Sequence, residues 1–498
     1  MSHKSHMYGG RESYSGIVPT KQPNKSGRPP AEVVEGRTLT KENMDQQNLY
    51  RTQSRGSGPN ELDRVRGAAR RDGKLRFTAL LHHATVDLLR DSYHSLKRQA
   101  APGVDGVTWE EYGQTLEAQL SDLHGRIHRG AYRAKPSRRV WIPKSDGRQR
   151  PLGIAALEDK VVQHAVGRVL NQIWEEDFLG FSYGFRPGRS QHDALDALNV
   201  GIARKRVNWV LDLDIRAFFD RIDHSWMIKF VEHRIGDRRI VRLIQKWLKA
   251  GVMEQGRWFE AEEGTPQGAV ISPILANLYL HYVLDLWVAQ WRRKEATGDV
   301  IIVRYADDAV LGFQHRYEAE RFLGQLRERL GKFGLELHPE KTRLIEFGRY
   351  AAERRKKRGQ GKPETFNFLG FTHMCGASYK AGYFVVQRKT IGKRMAAKLK
   401  EIKAKLHQRM HESIAGTRKW LQSVVRGYFQ YHAIPGNEHR LRAFRNDVLR
   451  IWLRQLRRRS QRSRWTWERF WARLAVQLPE IHIEHPYPGV RFDAKHPR

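Results

Sequence analysis

Hydrophobic and polar positions change character several times along the chain. Up to about residue 60, apolar residues are scattered among Gly, Ser, Pro, Lys and Gln without a sustained period, which predicts a flexible basic arm. Leu80, Leu81, Ala84, Leu88 and Leu89 then fall at helical spacing and run toward Tyr93. The turn signals Pro102-Gly103 and Asp105-Gly106 follow. Residues 138–154 read as two short strands around Ser145-Asp146-Gly147, with Val140, Trp141 and Ile142 before the turn and Leu152 and Ile154 after it. Helical period returns from Leu157 to Trp174, and a Gly- and Arg-rich loop occupies Tyr183 to Arg189. Asn208 to Asp214 predicts a strand ending in acid. Val300 to Phe313 predicts two apolar strands broken at Ala306-Asp307-Asp308.

Mixed strands and helices to about residue 385 indicate an α+β or α/β body. From Arg388 to about Leu474 the period is almost wholly helical, so a domain boundary is expected near 385. A chain of 498 residues also favours two or three domains over one. No internal repeat is present.

Charge adds the next constraint. Ninety Lys and Arg against 54 Asp and Glu leave a net charge of +36. The excess is spread over the chain and not held in one tail, which favours a nucleic acid over an acidic membrane surface. No stretch approaches the roughly 18 consecutive apolar residues of a membrane helix, and the N-terminus lacks the apolar core of a secretory signal. The expectation is a soluble protein of the cytoplasm with no membrane partner. Cys375 is the single cysteine, so neither an internal disulfide nor a zinc site built from cysteine pairs is available. His124 and His128 share helical i, i+4 spacing, but Gly125-Arg126-Ile127 between them supplies no glutamate base, and they read as helix-surface histidines.

The candidate chemistry lies in two acidic strands. Asp307 and Asp308 sit side by side at a hairpin tip, where adjacent carboxylates repel unless a cation neutralises them. Trp209, Leu211 and Leu213 alternate toward one face of the earlier strand, leaving Asp212 and Asp214 on the other. A carboxylate at a strand end beside two more at a hairpin tip suits a pair of Mg²⁺ ions, which take hard oxygen ligands and share positions with phosphates. Periodicity leaves Asp212 and Asp214 as equal candidates.

Tyr305-Ala306-Asp307-Asp308 resembles the hallmark hairpin of reverse transcriptases, and Asp214 with Phe218-Phe219 resembles their first palm motif, which selects Asp214 over Asp212. Gly264-Thr265-Pro266-Gln267-Gly268 with Ile271 to Asn277 resembles the intervening motif, which lies against the nascent base pair. In order and spacing the set is most similar to the group II intron reverse transcriptase and maturase family, over about residues 75–470. The resemblance implies a right-hand polymerase: fingers and palm over 61–385, an all-α thumb and maturase domain over 386–475, and a short tail over 476–498. It implies that Asp214 and Asp307 bind both ions (Mg²⁺, with Mn²⁺ as a possible substitute), that Asp308 completes the site, and that the Ile215 carbonyl is a further ligand. Phe219 would be the steric gate that selects deoxynucleotides. Lys144 and Arg150 on the 138–154 hairpin would meet the triphosphate, and Gln267 the incoming nucleotide or template. Lys341, in Leu335 to Thr342, could protonate the departing pyrophosphate. Phe368, Leu369 and Gly370 resemble the primer-gripping hairpin, and Tyr183 to Arg189 a template-contacting loop.

Between Arg388 and Arg464 stand 22 Lys and Arg against four acids, threaded with aromatics. Cations for a phosphate backbone on a helical core suit folded RNA or a template–primer duplex. Arg418, Lys419, Arg426, Tyr428 and Tyr431 are the candidates for RNA contact, and Gly427 to His432 resembles the aromatic signature of the maturase domain. The implied partners are the host intron RNA, an RNA template with DNA primer, dNTPs and target DNA; oligomeric state is left open. No endonuclease is expected, because no cysteine pairs exist to stabilise one, and mobility would then draw its primer from elsewhere, such as a replication fork. The competing expectations are a domesticated or defence reverse transcriptase and a catalytically silent splicing factor.

Overall fold

The computed structural model describes residues 61–143, 149–260, 263–265, 268–378, 382–459 and 464–496. The expected basic arm, the turn Ser145-Asp146-Gly147 with Lys144, and Gln267 lie outside the described residues.

In chain order, helices α1 (Glu61–Arg71), α2 (Val86–Ser95), α3 (Trp109–Gly113) and α4 (Leu116–His128) precede the hairpin β1 (Ser137–Pro143) and β2 (Gln149–Ile154). Next come α5 (Leu157–Asp177), α6 (Gln191–Arg204), β3 (Trp209–Leu213), α7 (His224–Arg234), α8 (Arg238–Lys249), β4 (Val252–Glu254) and β5 (Arg257–Phe259). The middle of the chain holds α9 (Ser272–Leu280), α10 (Leu286–Lys294), β6 (Val300–Tyr305), β7 (Asp308–Phe313), α11 (Arg316–Gly331) and β8 (Arg343–Glu346). The remainder is α12 (Ala351–Lys357), β9 (Phe366–Phe368), β10 (Phe371–Ala377), β11 (Phe384–Thr390), α13 (Gly392–Gln408), α14 (Ile414–His432), α15 (Glu438–Arg458), α16 (Trp467–Arg473) and α17 (Pro488–Lys495).

Two units result. The first takes its described residues from Met1–Ala194, Leu211–Leu311 and His315–Leu344. Its central helix is α5, where Val161, Val162, Ala165, Val166, Val169, Leu170, Ile173 and Trp174 are buried almost all round. Each such side chain withdrawn from water contributes about 1.5–3 kcal/mol if large, which makes α5 the axis on which the surrounding elements pack. One sheet has the order β2-β1-β4-β5, and another β6-β7-β3-β8. The expected hairpin forms with Val140 opposite Leu152 and Ile142 opposite Arg150.

One helix differs from its expected start. The stripe Leu80 to Leu89 is buried throughout, yet α2 begins only after Thr85, whose hydroxyl accepts the Leu88 N–H. The upstream part is a single 3₁₀ turn, Leu81–His83. The Leu80 and Leu81 N–H groups donate to Asp237 Oδ2 at 2.8 and 3.0 Å, so a distant carboxylate replaces the carbonyls a longer helix would use.

The second unit takes its described residues from Leu195–Val210, Gly312–Gln314 and Ile345–Arg498. Its sheet runs β11-β10-β9, and its helical core joins Leu406, Leu421, Val425, Phe429, Phe444, Val448, Trp452 and Phe470. The segment read as a polar tail contains α17, and it is tied down. Asp493 takes both terminal nitrogens of Arg204 at 2.7 Å, Arg491 pairs with buried Asp196, and His485 Nε2 lies 2.8 Å from the Gln430 carbonyl.

Candidate active site

The hairpin tip follows from its flanks. Val300, Ile301, Ile302 and Val303 of β6, and Ala309, Val310, Leu311 and Phe313 of β7, are all buried, so both strands are fixed by burial on two faces. Between them the chain reverses through Ala306, which holds a left-handed φ of +58°. At the far end of the neighbouring strand, the Asn208 N–H donates to the Phe313 carbonyl at 2.8 Å, and with Asp214 near Asp307 at the other end, β3 runs antiparallel to its neighbour β7. Asp214, just past the end of β3, and Asp307, just before β7, are brought near enough for the charge of one to act on the other. On its other side the chain after β3 bridges to Leu337, with His338 N–H donating to the Asp214 carbonyl and Arg216 N–H to the Glu336 carbonyl, both at 2.8 Å. These bonds flank Ile215 without using it, so its carbonyl points away from Leu337 and toward the β7 side.

The electrostatics of the tip are those of crowded carboxylates. Burial pushes the Asp307 pKa up, and the Asp214 charge adds to the rise, while Arg150 and Arg304 oppose it. Asp212 is pushed up to about 6 by burial, against the pull of Arg343 and with a further push from Asp214. Arg343 lies 3.7 Å from Asp212, whereas the Lys341 ammonium lies 3.0 Å from Asp214 Oδ2. Asp212 in β3 and Asp214 just beyond it therefore have separate cations. Asp308 begins β7 and stands exposed, while Asp307 is half-buried.

These groups fit a divalent metal of the hard, oxygen-seeking kind: carboxylates and a carbonyl, with mutual repulsion that a cation would relieve. Among the described residues, no three or more His, Cys, Asp or Glu side chains converge as a ready-made cage. Mg²⁺ does not require one, since it keeps waters and substrate phosphates in several positions.

Phe219 lies in a 3₁₀ turn, Phe218–Asp220, entered through Ala217 at φ +48°. Phe218 is buried, and its ring meets Phe219 edge-on at 5.3 Å, which leaves Phe219 half-buried. The loop that follows is strapped to this turn: Thr265 N–H donates to the Phe219 carbonyl and Gly264 N–H to the Ile222 carbonyl, both at 2.8 Å. Arg150 is exposed on β2 and acts on Asp307 through its charge.

Behind the tip stand residues that sequence reasoning gave another place or passed over. The Tyr183 to Arg189 loop was expected at the template, but most of it is packed inward. Tyr183 and Arg186 are buried, and Arg186 bonds Glu175 and the carbonyls of Leu179 and Ser182. Gly184 presses on the hairpin so closely that a Cβ there would lie 2.2 Å from the Ala306 nitrogen. Asn277 does not reach an open cleft. It is buried, and its Nδ2 donates to the Gly184 carbonyl at 2.7 Å. The available signal was the glycine itself, since an invitation to close backbone approach is one of the few reasons to place one there.

In the second unit, Leu369 and Gly370 turn the β9–β10 hairpin at φ +44° and +84°. Phe368 is buried beside them. The Tyr431 hydroxyl donates to the Leu369 carbonyl at 2.7 Å, and its ring lies 5.7 Å from Phe371. Tyr431 is thus a brace between α14 and this hairpin. Tyr428, expected to contact RNA, is buried and stacked on Phe444 at 3.6 Å, so its ring belongs to the helical core and offers no face to a base. Lys419 and Arg426 are exposed on α14, and Arg418 is half-buried with a bond to Gln477.

Comparison with known proteins agrees with this geometry. The family model described as reverse transcriptase (RNA-dependent DNA polymerase) matches residues 142–373. Protein YkfC of Escherichia coli (strain K12) is 37% identical over 286 residues, covering 50% of this chain and 74% of YkfC. The group II intron-encoded protein LtrA of Lactococcus lactis subsp. cremoris is 35% identical over 209 residues, covering 42% of this chain and 34% of LtrA. An uncharacterized 91 kDa protein in the cob intron of Schizosaccharomyces pombe is 26% identical over 429 residues, covering 72% of this chain and 51% of that protein. The chain belongs to the reverse transcriptases, the RNA-directed DNA polymerases. Within that class it is similar to intron-encoded proteins, the group II intron-encoded LtrA among them, and it spans about a third of LtrA's length. No helix among the described residues is long and apolar enough to cross a membrane.

Proposed function

We propose that the chain copies RNA into DNA at the strand end where Asp214 faces Asp307, with residues 61–385 as fingers and palm and 386–475 as thumb and maturase domain. The observation that carries this reading is the meeting of those two carboxylates, with Lys341 held at one and the Arg150 charge acting on the other. Asp214, Asp307, Asp308 and the Ile215 carbonyl would hold two Mg²⁺ ions, or Mn²⁺ in their place. When bound, such ions make the primer 3′ hydroxyl a better nucleophile and neutralise phosphate charge at the leaving group.

The remaining work falls to the chain itself. Arg150, with Lys144, meets the triphosphate, and a guanidinium can grip two of its oxygens at once. Phe219, held by the Thr265 bond, stands five residues after Asp214, where its ring would crowd a ribose 2′ hydroxyl. Gln267 would contact the nucleotide or template. Lys341, 3.0 Å from Asp214, is within reach of a proton transfer to departing pyrophosphate. Phe368, Leu369 and Gly370 would bear on the primer. Lys419, Arg426 and Arg418 would bind the phosphates of the host intron RNA, whose active fold the protein favours by binding it better than its alternatives. Splicing, followed by target-primed or fork-primed cDNA synthesis into target DNA, completes the reading.

The test is primer extension on an RNA template with a DNA primer, dNTPs and Mg²⁺, run beside splicing of the flanking intron RNA. Extension that vanishes in Asp307→Ala/Asp308→Ala while splicing persists supports the two-function reading. Wild type and variant equally inert in extension, with splicing intact, would reduce the protein to a splicing cofactor on a polymerase fold.

A further inference from the structure

Arg304 stands two residues before Ala306 and bonds its carbonyl at 2.8 Å. It is fully buried, in a strand whose other residues are Val and Ile up to Tyr305. A guanidinium has five N–H donors, and a buried one is costly unless all are met. Here each has an acceptor. Nε donates to Asp285 Oδ1 at 2.7 Å, and one terminal nitrogen donates to Asp285 Oδ2 and Ser182 Oγ, both at 2.6 Å. The other donates to Asn277 Oδ1 at 3.1 Å and to the Ala306 carbonyl at 2.8 Å.

The acceptors come from four separate segments. Asp285 closes a single π-helical turn, His281–Asp285, between α9 and α10, and is itself fully buried. That extra-wide turn is the local departure from α-geometry in an otherwise continuous helical run, and such turns recur at functional sites. Asn277 sits on α9 and relays the network to the Gly184 carbonyl through its Nδ2. Ser182 belongs to the loop whose Tyr183 N–H donates to the Arg304 carbonyl, while the Arg304 N–H donates to Phe181. The last acceptor is the carbonyl of the one residue at the tip with a left-handed backbone.

We propose that Arg304 is a positioning residue for catalysis: by holding the Ala306 carbonyl against Asp285, Asn277 and Ser182, it fixes the left-handed turn that aims Asp307 at Asp214. The proposal rests on the polymerase reading above. Arg304 does not touch the substrate. Its effect is on the rate of the chemical step and not on how tightly nucleotide or template–primer is held. Lysine keeps the charge beside Asp285, but a single ammonium cannot span four segments.

The test compares wild type with Arg304→Lys in single-nucleotide extension, with amide exchange of the 304–308 peptide followed in metal-free protein. The expected result is a kcat about 10²-fold lower, as for a misplacement of about 1 Å, with KM for dNTP and Kd for template–primer within about threefold. Exchange at the tip should rise in the variant without metal or substrate. Ser182→Ala and Asn277→Ala, each removing one acceptor, should show the same split at about fivefold, and they carry the test if Arg304→Lys does not fold. Unchanged kcat and tip exchange, or a loss confined to KM or to template–primer binding, would overturn the positioning role while leaving the polymerase reading intact. An inert wild type would overturn the polymerase reading, and this proposal with it.

Discussion

Gly184→Ala adds one uncharged methyl group, yet it should strike the Asp307 hairpin directly. The added Cβ would lie 2.2 Å from the Ala306 nitrogen, 2.9 Å from the Tyr305 carbonyl carbon and 3.0 Å from the Ala306 Cα. Unbonded heavy atoms rest at about 3.5 Å or more, so the tip must recede by roughly 1 Å or the 183–189 loop must yield. The loop resists, because Tyr183 is bonded to Arg304 and Asn277 grips the Gly184 carbonyl. The strain should therefore fall on Ala306 and carry Asp307 with it. A shift of about 1 Å at reacting groups costs about 10²-fold in rate, equivalent to about 2.7 kcal/mol of transition-state stabilisation. Overpacking should lower stability by about 1–3 kcal/mol as well. Single-turnover nucleotide incorporation and denaturant melts measure the two effects. A variant with wild-type incorporation and wild-type stability would refute the claim that this loop backs the active-site turn.

Three further perturbations test separate parts of the account. His373 is fully buried, 4.8 Å from the Phe366 ring, and burial, reinforced by Arg388, pushes its pKa down to about 3. The fold refuses a proton that the unfolded chain takes up below its ordinary value of about 6.5, so this contribution is intact above that pH and is lost as pH falls toward 3. His373→Phe should therefore lose about 2 kcal/mol less stability than wild type between pH 7.5 and 5.0 in denaturant melts. Equal acid sensitivity would count against it. Phe219→Ala should raise the use of ribonucleotides relative to deoxynucleotides by about 10- to 100-fold, read from kcat/KM for each; an unchanged ratio would return Phe219 to simple packing. Lys341→Met should lower kcat by about 10²-fold while RNA binding holds, and a loss under threefold would remove it from proton transfer.

Elements that depend on period and burial are legible in the sequence. The β6 and β7 runs are apolar on both faces and β1 and β2 flank a turn triplet, so their positions were legible from the order of residue types alone. Asp214 and Asp307 stood out through their resemblance to the palm motifs of reverse transcriptases, because a solvated Asp-Asp turn is common and says little by itself. Asp212 and Asp214 were not separable by alternation, and the distinction in space lies in their partners, Arg343 for one and Lys341 for the other. Arg304 escaped because an arginine in a strand looks like a surface cation, and its five acceptors are 2 to 122 residues away. Tyr428 and Tyr431 escaped in the opposite sense. An aromatic among cations looks like a base-stacking residue, but α14 turns these two inward, one onto Phe444 and one onto Leu369. The start of α2 was misread because Leu80, Leu81 and Ala84 are buried whether the backbone there is α or 3₁₀, and Asp237, which decides it, is 156 residues from Leu81.

The central claim is that Asp214 and Asp307 face each other in order to hold divalent cations for RNA-templated DNA synthesis. The most direct measurement is Mn²⁺ binding by electron paramagnetic resonance to the full chain with RNA template, chain-terminated DNA primer and matching dNTP. Wild type is expected to bind two ions per chain in this complex, and Asp307→Asn to lose both while still binding the template–primer. Equal Mn²⁺ stoichiometry in wild type and Asp307→Asn would contradict the account, because the carboxylate at the tip would then not be a ligand.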